Sequence, residues 1–243
     1  MTPLVLILGP AGAGRHALAR ELAAHAWPEG RKVRLLREAR EGGDPADQWR
    51  FADGQARLPA PGDEAAAILV THGASHVVDQ MEALHRVLRP EQADAAWRVA
   101  RILTVVDCPL AARHAAVEEW YRPCVHFSDV VVLNRRWEVP GQWPGRFLEP
   151  FEKEFFPCLF VNLTKAGALP NPPALIDGEP LRMSHVFDDI DAVDEMEFDE
   201  DDLPDEPFDL VRQVDRYFAR DELGRRSLPV PDIGAILRQE GRA

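Results

Sequence analysis

Cysteine is scarce in this chain: Cys108, Cys124 and Cys158 are the only three in 243 residues, and no two form a C-x-x-C pair. An odd, widely spaced set excludes a disulfide framework and a cysteine metal site, so buried free thiols are expected. Long apolar runs are also missing. Residues 65–70 and 102–106 fall far short of the roughly 18 apolar residues a membrane span requires. The opening Met1-Thr2-Pro3-Leu4 has no basic region, and the apolar run after it ends in glycines, not a cleavage site, so the expected location is cytoplasmic. Positive charge is absent from one stretch, 188–209, which holds thirteen Asp and Glu and no Lys or Arg. The net charge of −13 therefore resides there, and the remainder balances 28 acidic against 28 basic residues. Such a chain repels nucleic acid and anionic membrane and is expected to bind neither.

What the chain does have is an apolar run, residues 4–8, leading into Gly9-Pro10-Ala11-Gly12-Ala13-Gly14-Arg15-His16. The frame G-x-x-x-x-G-K-[ST] places glycine amides around phosphates, a Lys on the outer phosphates and a hydroxyl on magnesium. Gly9 and Gly14 hold the two glycine positions and Gly12 lies between them. Arg15 keeps the charge with a larger, planar head, while His16 offers an imidazole where magnesium prefers a hard oxygen.

Strand and helix signals then alternate. Strands are predicted over 4–8, 32–36, 67–71, 102–106, 130–133 and 159–163, and helices over 15–26, 77–88 and 110–121, with a long loop region over 40–62. This order predicts an α/β fold: a doubly wound, mainly parallel sheet of P-loop NTPase type, with ligands beyond the carboxyl ends of the strands. Residues 1–175 are read as that domain and 176–243 as an acidic C-terminal appendage, with a helix over 208–219. Phe187, Ile190, Val193, Met196, Phe198 and Leu203 are interspersed among the acids, which suits docking to a protein partner better than pure solvation.

Several segments resemble the CobW-like branch of P-loop GTPases, relatives of the UreG and HypB metallocentre-assembly proteins. Ile102-Leu103-Thr104-Val105-Val106-Asp107 resembles that family's V-V-D-A strand. Residues 127–137, ending Leu133-Asn134-Arg135-Arg136-Trp137, resemble its A-D-x-x-x-x-N-K-x-D guanine-recognition segment, and 160–167 fall at its final strand and loop. The likeness covers roughly residues 3–175 and implies GTP or GDP as ligand, with Gly9, Gly12, Gly14, Arg15, His16, Asn134 and Arg135 at the nucleotide-binding positions. The departures are specific. Trp137 replaces the base-pairing Asp, Thr71-His72-Gly73 has no carboxylate where one supports magnesium, and residues 53–58 contain no cysteine where the family carries a metal motif. Arg37-Glu38 and the following residues to Asp44 match the family's switch segment weakly. The resemblance thus implies a pseudo-GTPase with little or no hydrolysis, without its usual magnesium supports and with no catalytic or metal residue to assign.

Two other readings stand beside it. Gly12-Ala13-Gly14-Arg15-His16-Ala17 also satisfies the dinucleotide fingerprint G-x-G-x-x-[G/A], with Glu38 about 20 residues on, which would make this an NAD(P)-binding Rossmann-type protein. Against it, the two tyrosines, Tyr121 and Tyr217, form no Tyr-x-x-x-Lys pair. Alternatively the glycines are a plain strand-to-helix turn, Asp107 is a helix cap, and the fold is a scaffold whose acidic tail binds the partner.

Overall fold

β1 (Thr2–Leu8) lies inside the sheet, and burial on both faces explains its near-continuous apolar composition. Leu4, Leu6 and Leu8 point into one hydrophobic layer and Val5 and Ile7 into the other, as strand alternation requires. The computed structural model describes residues 1–89, 96–188 and 214–242. The acidic run beyond residue 188, and the first part of the helix predicted over 208–219, lie outside the described residues.

The chain continues through α1 (Arg15–His25), β2 (Val33–Glu38), β3 (Gln48–Ala52), β4 (Gln55–Arg57), β5 (Ala66–Val70), α2 (Val77–Val87) and β6 (Trp97–Asp107). It then forms α3 (Cys108–Arg113), α4 (Ala115–His126), β7 (Val130–Asn134), α5 (Trp143–Lys153), β8 (Leu159–Asn162), α6 (Pro172–Ile176) and α7 (Ile233–Gln239). The strands make one eight-stranded sheet in the order β4-β3-β2-β5-β1-β6-β7-β8, parallel except between β3 and β4. Side chains of α1 and α6 fill the layer on one face; those of α2, α3, α4, α5 and α7 fill the other. This is the doubly wound, mainly parallel α/β architecture. Among the described residues no helix is long and apolar enough to cross a membrane.

Three expectations need correction. Residues 40–62 are not simply a loop: they contain the antiparallel β3–β4 hairpin, turned at Asp53-Gly54 with φ of 52° and 69°. Both positive values fit the two-residue turn that Asp-Gly favours, and Trp49 anchors the hairpin by donating from Nε1 to the Val70 carbonyl at 2.9 Å. The single helix expected over 110–121 is two, α3 and α4, separated by His114 in an extended conformation (φ −130°, ψ 107°). Finally, the described part of the helix expected over 208–219 is a turn: Phe218 N donates to the Asp215 carbonyl at 2.8 Å and Tyr217 N to Asp215 Oδ1 at 2.9 Å.

The described residues after α6 pack on the body. Val186, Phe187, Tyr217, Phe218, Ile233 and Leu237 join the same hydrophobic layer as Leu4 and Leu6. A buried ionic network ties them down. Asp129, fully buried at the start of β7, accepts from Ile102 N (2.7 Å), Leu181 N (2.7 Å) and Arg182 Nη1 (2.8 Å), and it pairs with Arg101 at 3.4 Å. Arg182 also ion-pairs with Asp188. A second latch joins Asp215 to His126 Nε2 (2.8 Å) and the Ser184 hydroxyl (2.6 Å).

Removing one partner of a buried ion pair leaves the other charge uncompensated, so Asp129→Ala should lower the unfolding free energy by about 3–5 kcal/mol in urea titrations. Burial pushes the Asp188 and Asp215 carboxyls up, but hydrogen bonds from His185 and Arg182, and from His126 and Ser184, outweigh it and leave both below the ordinary range. Their stabilisation is therefore present above the ordinary carboxylate pKa, about 4, and is lost as pH falls through their lower folded values. Asp215→Asn should flatten the acid limb of a stability profile measured between about pH 5 and 2.

Candidate functional site

Gly9, Gly12 and Gly14 form the turn from β1 into α1, at the carboxyl end of a strand flanked by β5 and β6. The chain departs from β1 toward β2 and β5 on one side, while β6, β7 and β8 build the other, so the loop lies at the topological switch point where open α/β sheets bind ligands. The three glycines have φ of 140°, 79° and 96°, a region L-residues avoid. Space demands glycine as well: a Cβ at Gly9 would stand 2.8 Å from the Val105 carbonyl, and one at Gly14 would stand 2.8 Å from Asn134 Nδ2. Asn134, at the tip of β7, donates from Nδ2 to the Ala13 carbonyl at 2.8 Å and clasps the loop from the β7 side.

Arg15 turns inward. It is only 5% exposed, and its Nη1 donates to the Thr71 carbonyl at the end of β5. The segment 71–76 closes over it, with Ala11 N donating to the Gly73 carbonyl at 3.0 Å. Gly73 has no room for a side chain, because a Cβ would collide with Ala11 N and the Arg15 guanidinium. Buried Gln80 fixes this segment, accepting from His72 N at 2.8 Å and donating to its carbonyl at 2.9 Å. The Thr71 hydroxyl is committed to the Ile7 carbonyl at 3.0 Å. His16 is half-buried on the first turn of α1, whose N-terminus has no side-chain cap.

On the other side stands Asp107, fully buried at the tip of β6. Its Oδ1 accepts from Leu110 N at 3.2 Å, so it caps α3 as one sequence reading expects. Its Oδ2 carries two further partners. Arg135 forms an ion pair with it, a contact of charge without directed hydrogen-bond geometry. Arg242, beyond α7, donates to it from Nη1 at 2.5 Å. Arg242 also lies over the loop: a Cβ on Gly12 would be 3.7 Å from its Cδ and Nη1. The structure therefore gathers Gly9, Gly12, Gly14, Arg15, His16, Asn134 and Arg135 at one end of the sheet, and it adds Gly73, Asp107 and Arg242.

No family model matches the chain, and no curated protein matches it. Two solved structures are similar over 74% of the chain at 14% identity: a Zn(II)-bound triple mutant of the YjiA GTPase, with a TM-score of 0.41, and the Zn(II)-bound YjiA GTPase from E. coli, at 0.40. The chain spans 64% and 66% of the length of these two chains. A likeness this distant assigns no family.

The geometry narrows the chemistry in other ways. The usual dinucleotide-binding strand order sets the second strand beside the first, whereas here β5 separates β2 from β1. Glu38, at the end of β2, is one strand away from the loop, 1% exposed, and accepts from Arg40 N at 2.8 Å, so it does not present a carboxylate to a ribose. Cys108 adjoins Asp107, but burial, followed by the Asp107 charge, pushes its thiol up to about 12 and leaves it inert as a nucleophile at neutral pH. Among the described residues no group of three or more His, Cys, Asp or Glu is placed to hold a metal ion.

The tight seat of Gly73 is directly testable. Gly73→Ala should cost about 1–3 kcal/mol through overpacking, read as a lower thermal midpoint. Gly141→Ala, where the added methyl meets open space, should stay within about 0.5 kcal/mol of the parent.

Proposed function

We propose that the protein binds the phosphates of a guanine nucleotide, GTP or GDP, at the Gly9–Gly14 loop and hydrolyses it little or not at all, serving as a sensor or partner-binding module. One observation carries the reading: a glycine loop with three positive φ values, clasped by Asn134, stands at the switch point of a doubly wound sheet and opens onto an uncapped helix. Backbone amides and a helix N-terminus attract phosphate whichever side chains surround them.

The side chains argue against fast chemistry. Arg15 stands at the position of the usual loop Lys and is spent on the Thr71 carbonyl. The donors that would be asked to hold magnesium do not suit it: His16 is an imidazole, the Thr71 hydroxyl is turned inward, and the Asp107 carboxylate is shared by two guanidiniums. Losing a single electrostatic contributor to a transition state costs about 100- to 1,000-fold in rate, and here several are displaced together.

Calorimetric titration of the full chain with GTP, GDP, ATP, NAD and NADP, with and without magnesium, tests this. GTP or GDP should bind equally with and without the metal, and phosphate release should not exceed the protein-free background. Silence toward both guanine nucleotides, or binding that requires magnesium, would overturn the reading.

A further inference from the structure

The cation that a phosphate site normally takes from its own loop is unusable here, because Arg15 is buried and bound to the Thr71 carbonyl. A different guanidinium reaches the loop from the far end of the chain. α7 is seated on the body by Ile233 and Leu237, both fully buried, and by Glu240, which pairs with Arg113 at 2.5 Å and with His114 at 2.8 Å. The helix then stops in a defined way. Gly241, at φ 66°, donates to the Arg238 carbonyl at 3.2 Å, and Arg242 N donates to the Leu237 carbonyl at 2.8 Å. That pair of bonds is the Schellman termination, and it fixes the direction in which the next residue leaves the helix. Arg242 leaves it toward Gly12 and Asp107.

The local charge is unbalanced. Asp107 Oδ2 faces the guanidiniums of both Arg135 and Arg242, so this cluster holds two positive charges against one negative, beside the loop. Their side chains keep 27% and 24% of their surface exposed, with Arg135 Nη2 itself buried, so the cluster as a whole reaches the surface beside the loop. A planar guanidinium can hold Asp107 along one edge and offer its remaining N–H groups to a phosphate oxygen.

We infer that Arg242 is the phosphate-contacting cation of the glycine-loop site, supplied in cis by α7 in place of Arg15. The inference rests on the phosphate-binding reading above and extends it: ligand affinity depends on α7 being docked, and a bound phosphate in turn holds α7 down. A guanidinium that merely plugs an empty site is the opposite arrangement, since a ligand would then have to displace it.

The test uses the full chain, with GDP and inorganic pyrophosphate as probes. Arg242→Ala should weaken both by roughly 10- to 100-fold, the range for one charge-assisted hydrogen bond. Arg242→Lys should recover part of the loss, and the dependence of affinity on salt should be shallower in Arg242→Ala than in the parent. The thermal midpoint of Arg242→Ala without ligand serves as the folding control, and an affinity loss in Arg242→Ala that Arg242→Lys does not recover at all would count against a charge role. Unchanged or tighter binding by Arg242→Ala, with the parent binding normally, overturns the assignment to Arg242 alone. Failure of the parent to bind either probe overturns the phosphate reading itself.

Discussion

Asp107 places a carboxylate where water has no access, and the elements around it are arranged to answer that charge. It closes the tip of β6, caps α3 through Leu110 N, and draws Arg135 from the end of β7 and Arg242 from beyond α7 onto one oxygen. The Tyr121 hydroxyl accepts from the Asp107 amide at 2.8 Å, so α4 is tied to the same point. α3, α4, β7 and the residue beyond α7 thus share one anchor. Removing a buried charge from such a centre would leave its partners uncompensated, which makes the arrangement all-or-none.

The loop opposite is a glycine turn whose shape and whose neighbouring charged side chain serve different ends. Gly9 and Gly14 stand where no side chain fits, and Asn134 braces the turn. Arg15 is a strut between α1 and the end of β5, under a segment that Gly73 and Gln80 shape. A guanidinium suits that task better than an ammonium, because its planar fork can lie between two backbone segments. The frame and the charge in this site therefore have separate origins, one in the strand-to-helix turn and the other in the tips of β6, β7 and α7.

The parts of the fold that could be read in the sequence are those whose burial is two-sided. Residues 4–8, 67–70 and 130–133 are apolar without interruption because both faces are covered, and the structure places strands there. The β3–β4 hairpin escaped because it sits at the sheet edge, where Arg50 and Arg57 pair across the ladder and the alternation is weak; its Asp53-Gly54 turn was the available clue. α5 was hidden by Pro144, Gly145 and Pro150, yet Trp143, Phe147 and Phe151 recur every four residues and pack along one buried stripe, the first two rings stacked and the last pair tilted. Of the site, the glycines were legible from spacing, and Asn134 from the resemblance of residues 127–137 to a recognition segment. Arg242 was not, since no local pattern relates it to a carboxylate 135 residues earlier in the chain.

One contact gives the site a mechanical character. Gly234, in the first turn of α7, lies so close to the segment after β5 that a Cβ there would stand 2.7 Å from the Ala74 carbonyl. Helix and loop meet backbone to backbone, with no intervening side chain whose rotamers could absorb a displacement. The same segment carries Gly73, which presses on Ala11 in the glycine loop. The three pieces abut one another in series. A shift of the glycine loop by a few tenths of an ångström would press on the segment after β5 and, through it, on α7, with no flexible side chain between them to take up the strain.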